Sequence, residues 1–458
     1  MAEIIASKKA CTVNPLKSST PLGAALAYLG VEGAVPLFHG SQGCTSFALV
    51  LAVRHFKEAI PLQTTAMNEA ATVLGGAENL EEALLNVHKR MKPKIIGVAS
   101  TALVETRGED FAGELSLIRK RRRELDDVHV AFAATPDFEG ALEEGWAKAT
   151  TAIIHELVRE NPETPDPSLV NLLPGVHQTP ADVEELVALI ESFGLSTVVL
   201  PDISKSLDGS VPDEYVATSL GGARLADIAR MGAAAHTLAI GEHMRGPGEA
   251  LAQRAGSGVS VLPSVTGLAH SDELIALLMK LSGRPAPQVL LRERSRLLDA
   301  MMDAHFWYSG RRVALAADPD LLLSLSELFT SLGSEIVAAI ASTKAPASLK
   351  QVPCKEVRVG DLADLEEAAD HAGAELLVTH SHGRMAAERL GIPLYRVGFP
   401  IFDQLGAQHR CSVGYRGTRA LIYDLANLFI GRHREARPED FASGLATGSE
   451  AEVSHVGA

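Results

Sequence analysis

Residues 36–46 read PLFHGSQGCTS, and they connect one apolar run to another through a turn that contains two glycines. The first run predicts a strand over residues 31–38, the glycines predict a turn over residues 39–43, and the second run predicts a helix over residues 47–56. Cys44 therefore lies at the predicted N-terminus of this helix. Backbone N–H groups and the helix dipole at such a position favour a thiolate, which suits a nucleophile or a metal ligand.

Short apolar strands alternate with amphipathic helices along the whole chain, a pattern that predicts an α/β protein with parallel sheets covered on both faces. A length of 458 residues is too great for one compact core. We expect three Rossmann-like α/β domains and a polar tail: residues 1–165 with the Cys44 loop, residues 166–308 ending in a bridging helix, residues 309–434, and the tail at residues 435–458. Acidic residues and prolines at 160–168 indicate the first boundary.

Capping patterns predict where several helices begin. Thr20 as the N-cap and Pro21 as the first helical residue predict one helix start, and Gly30 predicts its end. Thr179 followed by Pro180 predicts a second start in the same way.

The composition excludes several classes of protein. With 42 basic and 57 acidic residues, a net charge of −15 argues against a dominant surface for nucleic acid or anionic membranes. The 4 cysteines are widely spaced and do not make a disulfide framework. No apolar run approaches the ~18 residues of a membrane span, and the N-terminus lacks the apolar core of a signal peptide. We therefore expect a cytoplasmic protein.

The residues alone leave three roles open for Cys44: a buried structural thiol, a nucleophile beside His39, or one ligand of a metal cluster completed from elsewhere. The other cysteines, Cys11, Cys354 and Cys411, are distant in sequence. A nucleophile needs a base, and no third group that would orient His39 can be named. The sequence also contains neither a G-x-G-x-x-G nor a G-x-x-x-x-G-K-[ST] phosphate loop.

Several segments resemble the β-subunit family of nitrogenase component 1. FHGSQGC at residues 38–44 is similar to the P-cluster loop of that family. The similarity continues in NPLKSSTPLGAALAYLG (14–30), SGRPAPQVLLRERSRLLDAMMDAHFW (282–307), GRRVALAADPD (310–320), PLYRVGFPIFDQLG (393–406) and GYRG (414–417). The resemblance implies the three-domain fold of nitrogenase component 1.

The sequence departs from the catalytic β subunit at two positions. In that subunit three cysteines contribute to an eight-iron P-cluster, and Ser19 and Ala102 stand where two of them are expected. Only Cys44 remains. This pattern resembles the β-like subunit of the scaffold on which the iron-molybdenum cofactor precursor is matured, which is an assembly subunit more than an enzyme on its own.

The resemblance implies a metal site and partners. It implies an α2β2 heterotetramer with a NifE-like α subunit and a [4Fe-4S] cluster shared between the subunits, with Cys44 as a ligand. Gly40 and Gly43 would let the backbone approach the cluster, and no catalytic residue is expected. The cofactor precursor would be held mainly by the partner, and the nitrogenase iron protein and a precursor donor would dock transiently.

Two alternatives of other classes follow from the same residues. The chain could be the β subunit of a nitrogenase-like oxidoreductase, either nitrogenase or dark-operative protochlorophyllide reductase. It could instead be a hydrolase or transferase that uses Cys44 and His39.

Overall fold

The computed structural model describes residues 1–68, 75–106, 108, 110–160 and 165–431. Within these ranges the strands form three sheets, and the pairings between them are all parallel. The predicted fold class, α/β with three units of parallel sheet and flanking helices, is confirmed. The predicted tail and residues 161–164 of the predicted boundary segment lie outside the described residues.

Strand β1 (Glu3–Ala6) precedes the first unit in the sequence but pairs with a strand of the third unit. The strands of the first unit are β2 (Ala34–His39), β3 (Gln63–Thr64), β4 (Ile95–Ser100) and β5 (His129–Ala133), in the order β3-β2-β4-β5. Its helices are α1 (Thr20–Leu29), α2 (Gln42–Phe56), α3 (Ala77–Met91), α4 (Ala102–Glu105), α5 (Phe111–Arg121) and α6 (Leu142–Leu157). Because β2 and β4 connect to strands on opposite sides, their carboxyl ends border the crevice where α/β sheets bind ligands.

Helix α1 is buried along its length and packs closely against α6. A Cβ on Gly23 would lie 2.0 Å from the carbonyl oxygen of Leu142, and one on Gly145 would lie 1.8 Å from the carbonyl oxygen of Thr20. Only glycine at both positions allows the two backbones this approach. The contact fixes the position of the first turn of α1 beside the Cys44 loop.

The predicted start of α1 is wrong by one residue. Ser19 is the N-cap, and its hydroxyl accepts a hydrogen bond from the N–H of Leu22 at 3.4 Å. Thr20 is the first helical residue, and its hydroxyl donates to the carbonyl oxygen of Glu139. The predicted end at Gly30 is confirmed.

The second unit has the sheet order β7-β6-β8-β9. Its strands are β6 (Asp166–Leu173), β7 (Ser196–Val199), β8 (Ala234–Ile240) and β9 (Gly258–Leu262). Its helices are α7 (Pro180–Ser192), α8 (Leu225–Ala229), α9 (Arg245–Ala255) and α10 (Leu268–Ser282), followed by the bridging helix α11 (Gln288–Tyr308). Thr179 caps α7 as predicted, because its hydroxyl accepts from the N–H of Asp182.

The third unit contains the largest sheet. Its remaining strands are β10 (Arg312–Ala317), β11 (Glu335–Ala341), β12 (Glu356–Val359), β13 (Leu376–Thr379) and β14 (Leu394–Arg396), in the order β1-β12-β11-β10-β13-β14. Its helices are α12 (Pro319–Ser331), α13 (Pro346–Leu349), α14 (Leu362–His371), α15 (Arg384–Leu390) and α16 (Gly414–Ile430). Short 3-10 turns lie at Arg123–Leu125, Ile203–Lys205, Met231–Ala233, Glu242–Met244, Ser381–Gly383 and Ala407–His409.

Two contacts join parts of the chain that the prediction places in different domains. β1 pairs in register with β12, from Glu3 opposite Glu356 to Ala6 opposite Val359, so the first residues belong to the third sheet. The prediction that residues 1–165 form one N-terminal domain is therefore wrong for this strand. Helix α16 packs against the bridging helix α11, where the Tyr308 hydroxyl donates to the carbonyl oxygen of Ile422 at 2.7 Å.

Among the described residues, no helix combines the length and the apolar character that crossing a membrane requires.

Candidate functional site

Cys44 lies in the first turn of α2, directly after the carboxyl end of β2. Ser41 is the N-cap residue, and its side chain makes no capping hydrogen bond to the helix. Instead its hydroxyl donates to Sγ of Cys44 at 3.6 Å. The Cys44 thiol is exposed. The predicted position of Cys44 at a helix N-terminus is confirmed, and its exposure argues against the structural-thiol alternative.

A pocket of about 280 Å³ opens beside Cys44 and is formed by both the first and third units. Its wall includes Ser19 at the start of α1, Phe47 from α2, and His380 and His382 after β13. All four cysteines lie within the described residues, and Cys44 alone lines this pocket. This chain therefore contributes one cysteine to the wall of the pocket.

Neither Ser19 nor Ala102 replaces the two expected cysteines as a strong ligand. The Ser19 hydroxyl caps α1. Ala102 begins α4 after the carboxyl end of β4, and its methyl group offers no donor atom. The two residues thus occupy structural positions at helix starts.

The two glycines of the loop have different surroundings. A Cβ on Gly40 would lie 2.2 Å from Oγ1 of Thr101, so this glycine is required by the packing of β2 against the segment after β4. A Cβ on Gly43 would meet no atom within 4 Å. The space next to Cys44 is therefore open on the Gly43 side.

His39 does not face Cys44 as a general base. Its Nδ1 lies 3.0 Å from Oγ1 of Thr65, and its ring packs edge-on against Phe111. Burial lowers the pKa of His39 to about 4. The side chain is thus held inside the first unit, and the hydrolase or transferase alternative lacks the hydrogen bond that it needs.

The histidines of the third unit have structural contacts. Nε2 of His380 lies 3.2 Å from the carbonyl oxygen of Leu16, and its Nδ1 accepts from the N–H of His382. Burial lowers the pKa of His380 to about 4. These bonds attach the segment before α1 to the third unit and so shape one wall of the pocket.

Helix α2 carries an exposed apolar face next to the thiol. Phe47 is 77% exposed, Val50 is 52% exposed and Val53 is 37% exposed. These residues recur every three positions and therefore share one side of the helix. We call Phe47, Val50 and Val53 the α2 face.

Sequence reasoning missed Asp137, which also lines the pocket. Its carboxylate accepts from the N–H of Thr20 at 3.1 Å, and burial raises its pKa. Its contact spans 117 positions of sequence, so no local motif indicated it.

The chain is similar to known proteins over nearly its full length. The profile of nitrogenase component 1 type oxidoreductases matches residues 19–430. The chain is 54% identical over 440 residues to the nitrogenase iron-molybdenum cofactor biosynthesis protein NifN of Mesorhizobium japonicum, with 96% of this chain and 95% of the relative covered. It is 52% identical over 445 residues to NifN of Rhodobacter capsulatus, with 97% and 96% covered.

Solved structures agree with the sequence relatives. A structure of nitrogenase Cp1 at pH 6.5 has a TM-score of 0.89 at 30% identity, covering 95% of this chain and 97% of that chain. A chain from nitrogenase Cp1 at pH 5 has a TM-score of 0.68 at 13% identity, with 95% and 93% covered, and shows a shared fold alone.

Proposed function

The chain belongs to the nitrogenase component 1 type oxidoreductase family, among the NifN proteins, and we propose that it is one subunit of the scaffold that matures the iron-molybdenum cofactor precursor. The relatives are named for the biosynthesis of that cofactor. In this proposal the chain supplies part of an assembly site and has no catalytic residue of its own.

We propose that Cys44 supplies one thiolate to a [4Fe-4S] cluster shared with a NifE-like α subunit. A four-iron cluster commonly takes four protein thiolates, and Cys44 is the one cysteine that lines the pocket. The remaining three must then come from the partner. Such a cluster accepts and donates single electrons. The observation that carries this proposal is the exposed, isolated Cys44 thiol beside open space.

Cys354 and Cys411 do not compete for this role. Sγ of Cys354 donates to the carbonyl oxygen of Glu356, and Sγ of Cys411 donates to that of Val413. Burial raises the pKa of Cys411 to about 12. A thiol with so high a pKa is a poor source of thiolate. All four cysteines are free, which agrees with the reducing cytoplasm that we expect.

Groups around Cys44 would support the cluster. Gly43 leaves space for its approach, and Ser41 would donate a hydrogen bond to the ligating sulfur, an interaction that tunes cluster potentials. Gly40, whose Cβ position is filled by Thr101, would let the backbone approach the cluster, as the resemblance implies.

The α2 face supports the proposed association with an α subunit. Three apolar side chains exposed next to a metal ligand would be covered by the subunit that provides the other ligands. We infer an α2β2 assembly in which the partner holds most of the cofactor precursor, and in which the nitrogenase iron protein and a precursor donor dock transiently.

The alternative function, the β subunit of a nitrogenase-like oxidoreductase, is favoured by the TM-score of 0.89 with nitrogenase Cp1. Ser19 and Ala102 weigh against it, because neither provides a thiolate for an eight-iron cluster. Acetylene reduction and protochlorophyllide reduction by the purified complex would both be absent for a scaffold subunit.

Cys44→Ala in the co-purified complex tests the proposal. We expect loss of the iron of one four-iron cluster per copy of this chain, together with its electron paramagnetic signal. Cys354→Ala is the matched control and should keep both. Unchanged iron and an unchanged signal in Cys44→Ala would refute the ligand role.

A further inference from the structure

A second group of possible metal ligands lies at the carboxyl edge of the second sheet. His177 follows β6, and His243 lies in the turn Glu242–Met244 that follows β8. β6 and β8 are neighbours, and each has its other partner on the opposite side. The two histidines therefore lie at the crevice where parallel sheets place ligand sites.

Glu143 from α6 of the first unit completes the group. One ligand atom from each of Glu143, His177 and His243 lies within 4.8 Å of the other two. Glu143 is 2% exposed, and the side chain of His243 is 6% exposed. Two imidazoles and one carboxylate are a ligand set typical of zinc and of ferrous iron.

Asp320 from the third unit orients one of these ligands. Its Oδ2 lies 2.5 Å from Nδ1 of His243 and accepts from the N–H of the same residue at 3.0 Å. Nδ1 thus carries the proton, and Nε2 keeps the lone pair, as in carboxylate–histidine–metal arrangements. Nε2 accepts a hydrogen bond from the N–H of Val176 at 3.3 Å, and a metal ion would take the place of that donor.

Gly241 makes this approach possible. Its φ is +91°, and a Cβ there would lie 2.7 Å from Oδ2 of Asp320. A side chain at this position would therefore separate Asp320 from His243.

His177 has an unused nitrogen. Its Nδ1 is buried and has no hydrogen-bond partner among the described residues, whereas its Nε2 lies 2.7 Å from the side-chain amide of Gln178. The Gln178 amide group donates to Nε2, so Nδ1 carries the proton, and a buried N–H without an acceptor costs about 1–3 kcal/mol. Binding of a metal ion at Nδ1 would move this proton to Nε2 and turn the Gln178 amide so that its oxygen accepts. His177 also lines a neighbouring pocket of about 110 Å³.

We propose that Glu143, His177 and His243 bind one divalent first-row transition-metal ion, with Asp320 as the positioning residue for His243. The ion would link the first and second units directly and the third through Asp320. The site is separate from the Cys44 pocket, since none of these four residues lines that pocket.

Cobalt binding tests the proposal without using the iron–sulfur cluster. The co-purified complex carrying Cys44→Ala is treated with a chelator and titrated with Co²⁺, and the visible d–d absorption is recorded. We expect one Co²⁺ per copy of this chain, with a spectrum of nitrogen and oxygen ligation. Glu143→Gln and His177→Ala should each weaken binding by at least about tenfold, and Asp320→Asn by about 10–100-fold.

His305→Ala, which changes an exposed histidine of α11, is the matched control and should bind as the parent does. His177→Asn offers a milder change if Glu143→Gln fails to assemble. The proposal is overturned if no stoichiometric Co²⁺ binds, or if the His177 variants bind as tightly as the control.

Discussion

Ser19 and Cys44 line the same pocket, and the Ser19 hydroxyl is hydrogen bonded to the backbone of α1. The resemblance to nitrogenase β subunits expects cysteine at both positions. In this chain Ser19 starts a buried helix, and Cys44 offers an exposed thiol. Ser19 thus stabilises the fold, and Cys44 is the residue that we propose as a metal ligand.

Replacing Ser19 separates these roles. We expect Ser19→Ala to lower the free energy of unfolding by about 1 kcal/mol, because the N–H of Leu22 loses its cap. Iron content should not change. Denaturant unfolding and iron analysis check both points, with Ser46→Ala as a control whose hydroxyl bonds within its own exposed helix. Iron loss in Ser19→Ala would instead identify Ser19 as a ligand.

The two loop glycines should respond differently to an added methyl group. Gly40→Ala would bring a Cβ to 2.2 Å from Oγ1 of Thr101, and such overpacking costs about 1–3 kcal/mol. The methyl group of Gly43→Ala would meet no atom within 4 Å, so we expect the thermal unfolding midpoint of this variant to stay at or above the parent value.

The same Gly43→Ala variant also probes the cluster, because its methyl group would occupy space that we assign to the iron. We expect less iron per complex at unchanged stability. Full iron loading in Gly43→Ala would mean that the cluster does not approach this side of the loop.

Charge placed on the α2 face should weaken partner binding. Phe47 is 77% exposed, and Phe47→Asp would put a carboxylate where we expect an apolar contact. We expect association with the α subunit to weaken at least about tenfold, as for a central interface residue. Val211→Asp, at a site that is 91% exposed, is the control. If the two variants recover equal amounts of the α subunit, the interface lies elsewhere on this chain.

The buried His39 should make the fold sensitive to acid. Its pKa is lowered from an ordinary 6.5 to about 4, so between these values the unfolded chain binds a proton that the folded chain does not. The contribution of His39 to stability is complete above pH 6.5 and is lost as the pH falls toward 4.

His39→Asn removes this titration, so its free energy of unfolding should decline less steeply than that of the parent over the same range. Denaturant titrations at several pH values measure the slope. The exposed His305→Asn should decline like the parent. A parental slope in His39→Asn would contradict the assigned pKa.

The sequence predicted those parts of the fold that depend on neighbouring residues. The strand before His39, the helix that carries Cys44 and the cap at Thr179 all follow from local patterns. The predicted N-cap of α1 was one residue too late because Ser19 and Thr20 are both residue types that cap helices well, and local sequence does not distinguish them.

Long-range pairings were beyond sequence reasoning. β1 pairs with β12, which lies about 350 positions further along the sequence, and no periodicity in the first six residues indicates that partner. Glu143, His177 and His243 lie in separate elements with no ligand spacing between them, so only the fold brings them together. The orientation of the His39 side chain likewise depends on its contacts with Thr65 and Phe111.

The most direct test of the account is a structure of the complex purified with its iron intact, with iron located by anomalous scattering. We predict a four-iron cluster with Sγ of Cys44 bonded to one iron and thiolates of the α subunit on the other three. A cluster held by the α subunit alone, with the Cys44 sulfur unbonded, would contradict the central claim.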